Sequence, residues 1–413
     1  MTGAPGPQAR RCGNLWLQPH RPFLLAAALW AVLAVLWWQW GARVGLAPPV
    51  LGTAGFWHAH EMIPGMAGAA AAGYLLTALA SWTGGAPPSG RLLQALVALW
   101  LLQRLAMACA GVLPVWLATL PGLGFFGLFA GVLAAGVLRV GAWRKLGFAA
   151  AIAALGIGDA MLILAALGGA PLPDPARLLR GGVMLFAALI SVIGGRMVPA
   201  FTDNRLQQGG AALRCRATPV ADRVAPSVVA LAGALAMVQP GPGAGLALVA
   251  AGLAEAWRVT GWRGWQVRDN PLLVMLQAGY AWLPAGLVLL GLSQLWPLHL
   301  PGVDALHALT MGAMGSMILA IAARAAARRE AGALRAGRLI VTAGACLWPA
   351  VWLRLAVLPW PEAAPWLNGA AAALWVAGWA AFLAAFVPTL FGPVLRPVFS
   401  GARAGMSQSN GNI

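Results

Sequence analysis

Runs of about twenty apolar residues follow one another along almost the whole chain, and they restrict it to very few folds. A helix needs about 20 residues to cross the roughly 30 Å hydrocarbon core of a bilayer. Within lipid the backbone must satisfy its own hydrogen bonds, which a helix does inside one segment. Twelve such runs lie near residues 22–45, 56–80, 91–112, 114–137, 146–168, 179–200, 224–239, 243–257, 271–294, 302–323, 338–360 and 366–391. The sequence therefore predicts an all-α fold, a polytopic transmembrane helical bundle of about twelve spans.

The composition excludes an ordinary soluble protein. Apolar residues make up 61% of the 413 positions and charged residues only 9%, against about 25% charged in a soluble domain. No interval inside the apolar region is long and polar enough for an aqueous domain. We therefore divide the chain into a cytoplasmic N-terminal segment (1–21), a single transmembrane bundle (22–395) and a flexible C-terminal tail (396–413). The seventh and eighth runs are short, and a re-entrant pair is the alternative there.

The basic residues predict the orientation of the bundle. All but Lys145 of the 27 basic residues are arginines, and the formal net charge is +17. In a soluble protein this charge would indicate nucleic acid, but here the arginines lie between apolar runs, so we expect no nucleic-acid partner. They concentrate before the first run and after the fourth, sixth, eighth and tenth runs. Because positive loops stay in the cytoplasm, both termini are predicted to be cytoplasmic. The segment before the first run lacks the pattern of a cleaved signal peptide.

Ionisable residues inside the runs are few, and they concentrate at one end of the predicted bundle. The second run opens with His58, His60 and Glu61, and the tenth opens with Asp304 and His307. The third and eleventh runs carry one arginine each near the same end, namely Arg104 and Arg354. Because charged groups are expensive in hydrocarbon, each of them is a candidate functional residue.

Histidine next to intramembrane arginine is a combination that can hold a heme, and the alternative is that these histidines only form hydrogen bonds near the helix ends. Neutral imidazoles on facing helices can hold heme iron, and arginine pairs well with the two propionate carboxylates. The chain has no C-x-x-C-H motif, so a heme would be bound non-covalently. His58 and His60 differ by about 200° around a regular helix and cannot both face one metal. One of the two histidines then binds a second metal or only forms a hydrogen bond. For the arginines, the alternative to binding propionates is pairing with acids or backbone carbonyls.

Two acids have open roles at this stage. Glu61 lies three residues after His58 and is predicted on the same helix side. It is the candidate catalytic residue, as a proton carrier, with metal ligation or orientation of His58 as alternatives. Asp159 is the only acid well inside a run away from this cluster, and the sequence identifies no partner for it.

The two histidine-bearing runs share a pattern of small residues. His60 is followed by Gly65 and Gly68, and His307 is followed by Gly312 and Gly315. Both therefore show the same H-x4-G-x2-G spacing. Small residues let helix backbones approach closely in membranes, so we expect both helices to pack tightly. Pro64 is expected to kink or loosen the second helix.

Several of these residues belong to stretches that resemble the NnrS family of bacterial multi-span membrane proteins. The stretches run from the second to the tenth run and therefore cover most of the chain. They are WHAHEM (57–62), GYLLTA (73–78), WTG (82–84), LW (99–100), RLA (104–106), GGR (194–196), Pro199, FT (201–202), GYAW (279–282), LHALT (306–310) with Gly312 and Gly315, MILA (317–320) and Arg324.

The resemblance implies a heme, with copper as a further candidate, and a link to nitric oxide metabolism and nitrosative stress. It implies that His58, His60 and His307 are heme or metal ligands, with Arg104 and Arg354 as supporting residues. It also implies the bacterial inner (plasma) membrane as the location. One departure stands out, since the family pattern commonly has a histidine before the GYAW stretch where this chain has Gln277.

We therefore expect a membrane heme protein that binds or reduces nitric oxide and supports the nitrosative-stress response or denitrification. Reduction would need an electron donor such as a quinol, and the lipid bilayer would supply both the donor and the gas. The rival hypothesis is a transporter or copper-handling permease that uses the same histidines, with helices interrupted at Pro64, Pro121 and Pro284. A sensor or assembly factor without turnover is the third.

Overall fold

A computed structural model describes residues 14–168, 172–209, 214–216, 218–330, 333–394 and 398–399. Most of the predicted N-terminal segment (1–21) and of the predicted tail (396–413) lies outside these residues. The described part contains twelve long helices. They are α1 (His20–Trp40), α2 (Ala54–Thr83), α3 (Arg91–Ala108), α4 (Val115–Arg139), α5 (Leu146–Leu167), α6 (Pro175–Gln208), α7 (Pro219–Val238), α8 (Pro242–Thr260), α9 (Pro271–Leu295), α10 (Gly302–Ala326), α11 (Arg338–Leu355) and α12 (Ala364–Phe386).

The predicted twelve-span helical bundle is confirmed in its helix count. Eleven of the twelve helices are long and apolar enough to cross a membrane, and the exception is α8. α8 contains Glu255 and Arg258, which lower its hydropathy. The short seventh and eighth runs form two separate helices joined at Gln239–Gly241, each longer than its apolar run. The chain is therefore a multi-pass membrane protein.

The remaining described elements are short. Single turns of 3-10 helix connect or follow several of the long helices, at Gly41–Val44, Trp143–Lys145, Gly264–Val267, Pro361–Ala363 and Val387–Phe391. A small antiparallel hairpin, β1 (Arg328–Glu330) and β2 (Ala333–Arg335), joins α10 to α11.

Local sequence signals set several of the helix starts. α6 begins at Pro175, directly after Asp174, whose side chain accepts a hydrogen bond from the first turn. α9 begins at Pro271 after Asn270, whose side-chain oxygen accepts from two backbone N–H groups. Proline at the first helical position and an N-cap acceptor before it are the usual start signals. These caps fix where the membrane-spanning segments begin.

The helices that carry His60 and His307 both change to π geometry shortly after their first turns. In α2 the π segment is Glu61–Ala67, and in α10 it is Ala308–Gly315. The first contains Pro64, as expected for a loosened helix, whereas the second contains no proline. A π segment widens the helix and often marks a functional site. The two π segments contact each other, so α2 and α10 are neighbours in the bundle.

α2 and α10 are also the most buried of the eleven candidate spans. Their glycines permit this, as the sequence predicted. A methyl group on Gly312 would lie 2.7 Å from the Trp282 ring of α9, and one on Gly68 would lie 3.1 Å from Phe126 of α4. By contrast, the interruptions suggested at Pro121 and Pro284 are wrong, because α4 and α9 continue as α-helices through them.

Candidate functional site

The first turns of α2 direct His58 and His60 to two different neighbours. The His58 ring stacks on Trp38 of α1, with ring centroids 4.8 Å apart and planes inclined by 18°. His60 instead faces α5, where its Nε2 lies 2.7 Å from Asp159 Oδ1. The separation of about 200° expected from their spacing is consistent with this divergence.

His58 and His307 line one cavity of about 290 Å³, which we call the histidine cavity. Its walls come from α1, α2, α10, α11 and α12, and most of them are apolar. Besides the two histidines, the polar groups in its lining are Gln39, Thr310, Arg354 and Asn368. The cavity therefore brings together a histidine from each π-containing helix and the arginine of α11.

The orientation of His307 leaves one ring nitrogen free. Its Nδ1 lies 2.8 Å from the carbonyl oxygen of Val303. Because a carbonyl oxygen only accepts, Nδ1 carries the proton and donates, and Nε2 keeps its lone pair. An imidazole held in this way by a backbone carbonyl has the usual orientation of a metal ligand. Across the cavity, His58 Nδ1 is buried without a hydrogen-bond partner.

Arg354 is held at the cavity wall by one acid. Its Nη2 lies 2.8 Å from Asp304 Oδ1 at the start of α10. Its other terminal nitrogen, Nη1, is buried without a partner, as is Oδ1 of Asn368 on α12. Buried polar atoms are nearly always hydrogen-bonded in folded proteins. The unpaired atoms therefore indicate a polar ligand or water in this cavity.

His60 forms a second, separate group with Glu61, Arg104 and Asp159, which we call the His60 cluster. His60 Nδ1 and Arg104 Nη1 each lie 2.8 Å from Glu61 Oε1. His60 and Glu61 are fully buried, and Arg104 and Asp159 are 3% and 4% exposed. The His60 contact with Asp159 is close but not aligned as a hydrogen bond, so it is mainly electrostatic. The cluster links α2, α3 and α5.

A comparison with models of known protein families shows which family the chain belongs to. The family model described as NnrS protein matches residues 14–393. The chain belongs to the NnrS family. No curated protein matches it. Both histidine groups lie within the residues that the NnrS model matches.

One expectation for the acids of this NnrS chain is wrong. Glu61 does not contact His58, because it begins the π segment and contacts His60 and Arg104 instead. The partner of Asp159, which the sequence did not identify, is His60. Arg104 thus pairs with an acid, which was one of its two alternatives, and it does not line the histidine cavity.

The site residues expected from the sequence fall into two separate groups in the structure. The structure brings His58, His307 and Arg354 together and sets His60, Glu61 and Arg104 apart. Both ring nitrogens of His60 lie against carboxylate oxygens, which leaves neither free in this arrangement. Among the described residues, no group of three or more His, Cys, Asp or Glu side chains is arranged to hold a metal ion.

Sequence reasoning missed a third buried polar group, in the half of the chain that contains α8. Glu255 is fully buried and accepts from Tyr280 Oη at 2.7 Å and from the Ser191 hydroxyl. Arg258 donates to the Ser191 carbonyl at 2.8 Å and to Asp222 at 2.7 Å. The i, i+3 spacing of Glu255 and Arg258 is the signal that could have revealed it. This network ties α6, α7, α8 and α9 together.

Gln277 lies away from both histidine groups. Its side-chain amide donates to the Thr202 hydroxyl at 3.0 Å and so connects α9 to α6. Gln277, which stands where the resemblance led us to expect a histidine, therefore forms a helix-to-helix contact.

Proposed function

We propose that this NnrS-family protein binds a heme non-covalently in the histidine cavity and binds or reduces nitric oxide there. One observation carries the proposal: His58 on α2 and His307 on α10 line the same cavity, each with a ring nitrogen that has no protein partner available to it. A bundle that holds heme through side chains of facing helices has this arrangement.

The donor set of the cavity fits a heme. His307 and His58 supply imidazole nitrogens for the iron. The unpaired Arg354 Nη1 supports a carboxylate contact, because a guanidinium binds propionate groups well. The remaining walls, including Val35, Ala371 and Trp375, suit an apolar macrocycle. Asp304 competes for Arg354 through their 2.8 Å contact, so it limits how strongly the arginine binds a second carboxylate.

A bound heme would supply the one-electron redox chemistry and the site at which nitric oxide binds. The chain's own groups orient and shield that site. Trp38 fixes the His58 ring by stacking, and the Val303 carbonyl fixes His307. The largely apolar walls favour entry of a lipid-soluble gas. We further propose Glu61 as a proton carrier, a quinol as electron donor, and the bacterial inner membrane as the location.

Absorption spectra test this function directly. The purified protein, supplied with heme during expression, should show a heme spectrum that changes on dithionite reduction and again on addition of nitric oxide. His58→Ala should lose or shift the spectrum. His299→Ala is the matched control, because His299 is exposed and outside the cavity. A colourless protein, or a spectrum that nitric oxide and His58→Ala both leave unchanged, would refute the proposal.

A copper site in the same cavity is the second candidate, and one observation favours it. Four thioethers line the cavity beside the two histidines: Met62, Met66, Met311 and Met314. Thioether and imidazole ligands suit Cu(I). A colourless protein that binds one Cu(I) per chain, and loses it in the Met62→Leu/Met311→Leu variant, would support a copper-handling protein over a heme protein.

A further inference from the structure

We propose that a polar cavity at one end of the bundle binds the phosphate group of an anionic ligand, with Arg324 as its principal contact. The cavity has a volume of about 300 Å³ and lies between the end of α6, the start of α9, the end of α10 and strand β2. We call it the arginine cavity. Among the described residues it shares no lining residue with the histidine cavity, and phosphate binding there does not require a heme.

The lining of the arginine cavity is polar and positively charged. Most of its described lining residues are polar, whereas most of those in the histidine cavity are apolar. Three of them are arginines, and each comes from a different element: Arg205 from α6, Arg324 from α10 and Arg335 from β2. Asp269 is the only acid among the described lining residues. The cavity therefore has an excess of positive charge, which favours an anion.

Arg324 is a buried cation without an acidic partner. It is 7% exposed, and its guanidinium carbon lies 3.9 Å from the centroid of the Phe201 ring. Its Nε donates to the Phe399 carbonyl at 2.5 Å, and within the described residues neither of its terminal nitrogens donates a hydrogen bond. All ten acidic side chains of the chain belong to the described residues, and none of them pairs with Arg324. Because buried charges are normally paired, the anion must come from a ligand.

The other two arginines of the cavity are paired, but they keep free donors. Arg205 pairs with Asp269 through Nη2, and Arg335 pairs with Glu330 through Nε at 2.9 Å. Each pair uses one of the three nitrogens of its guanidinium group. All four side chains are at least 38% exposed, so these pairs contribute little. A phosphate held by Arg324 can therefore add contacts to Arg205 and Arg335 without breaking a strong ion pair.

The arrangement suits a phosphate better than a carboxylate. Stacking on Phe201 occupies one face of the Arg324 guanidinium and the Phe399 carbonyl occupies its Nε, so the two terminal nitrogens remain for a ligand. A guanidinium binds phosphate through two parallel N–H···O bonds. A tetrahedral phosphate has further oxygens for the arginines of α6 and β2, whereas a planar carboxylate has only two oxygens in all.

The arginine cavity lies where two membrane-spanning helices end. α6 ends at Gln208 and α10 ends at Ala326, and both are candidate membrane spans. The positions of the arginine-rich loops predict that this end is cytoplasmic. Basic pockets between membrane helices on that side bind the headgroups of anionic lipids. Two sources of phosphate meet at this surface, the headgroup of an anionic phospholipid and inorganic phosphate in solution.

Binding of lipid and of phosphate to the purified full-length protein tests the site. Native mass spectrometry in detergent measures the affinities for dioleoylphosphatidylglycerol and for oleate, and equilibrium dialysis measures the binding of radiolabelled inorganic phosphate. We expect one tight site per chain for the lipid or for phosphate. Arg324→Gln should weaken it by about tenfold or more, because a charged contact is lost. Arg139→Gln is the matched control, since Arg139 also lies in the last turn of its helix but is exposed and outside the cavity.

A second variant keeps the test decisive where Arg324→Gln does not yield monodisperse protein. Arg335→Gln changes a lining side chain that is 71% exposed, and it should weaken binding about threefold. Tight lipid binding with these losses identifies a headgroup site, and phosphate binding without lipid binding identifies a site for the free ion.

Three results would overturn the phosphate site. They are the absence of a tight site for either probe, equal binding in the folded cavity variant and in Arg139→Gln, and oleate binding as tight as that of the lipid and of phosphate. None of these measurements depends on heme content, so the phosphate site and the proposed function can fail separately.

Discussion

His60 and His307 occupy the same place in two matching stretches of the chain and yet face different surroundings. Each is followed by H-x4-G-x2-G spacing and by a π segment. His60 lies in a buried ion cluster with three charged side chains. His307 lies at a cavity with a free ring nitrogen.

The residue after each histidine explains much of the difference. Glu61 follows His60 and supplies a carboxylate to its Nδ1, whereas Ala308 follows His307 and supplies nothing. The Nδ1 of His307 therefore turns to the Val303 carbonyl. Similar stretches thus place one histidine at a cavity and the other in a buried ion cluster, and the side chain that follows each histidine contributes to the difference.

Breaking the His60 cluster should have the largest effect on stability. Glu61→Ala leaves Arg104 and His60 buried without their shared carboxylate. We expect a loss of about 3–5 kcal/mol in the free energy of unfolding, because removing one partner of a buried ion pair leaves a buried unpaired charge. Reversible denaturation in mixed micelles measures it.

An exposed ion pair provides the control for that variant. Glu330 and Arg335 pair at 2.9 Å in the β1–β2 hairpin, with side chains that are 54% and 71% exposed. Glu330→Ala should cost no more than about 1 kcal/mol, since exposed pairs contribute little. Equal losses in the two variants would show that the His60 cluster is not a tightly coupled buried group.

The close packing of the His307 helix predicts a smaller effect. Gly312→Ala would place a methyl group 2.7 Å from the Trp282 ring. We expect a loss of about 1–3 kcal/mol in the free energy of unfolding from overpacking. Gly131→Ala, where a methyl group meets open space, should be neutral or slightly stabilising. A neutral Gly312→Ala would mean that α9 and α10 are not in tight contact.

Arg354 should contribute to heme binding in the histidine cavity. Arg354→Gln removes the charge beside the cavity, and we expect heme affinity to fall about tenfold through the loss of a charged hydrogen bond. Heme titration of the heme-free protein measures this. Arg91→Gln, an exposed arginine at the start of α3, is the control. Unchanged affinity in Arg354→Gln would show that Asp304 is the only partner of this arginine.

The sequence predicted the helical bundle, the histidine-bearing helices and their glycine packing because those properties depend on local composition. It also predicted that His58 and His60 diverge, since the two residues lie in a regular α-helical turn. The position of Glu61 was predicted wrongly because the helix changes to π geometry at this residue, where angular arithmetic for a regular helix fails.

The sequence could not predict which polar side chains on distant helices contact each other. The contact of His60 with Asp159 depends on how α5 is rotated relative to α2, which no local pattern specifies. Glu255 was missed for a related reason, because Ser191 and Tyr280, which donate hydrogen bonds to it, lie on two other helices. Its burial becomes possible only because Arg258, Tyr280 and Ser191 surround it.

The heme content of two histidine variants tests the account most directly. His307→Asn and His60→Asn would be expressed with excess heme, purified as monodisperse protein and assayed for heme per chain. We predict that His307→Asn retains less than about a tenth of the parent's heme, whereas His60→Asn retains nearly all of it in the folded fraction. Loss of heme from His60→Asn together with retention in His307→Asn would contradict the assignment of the two histidines to different tasks.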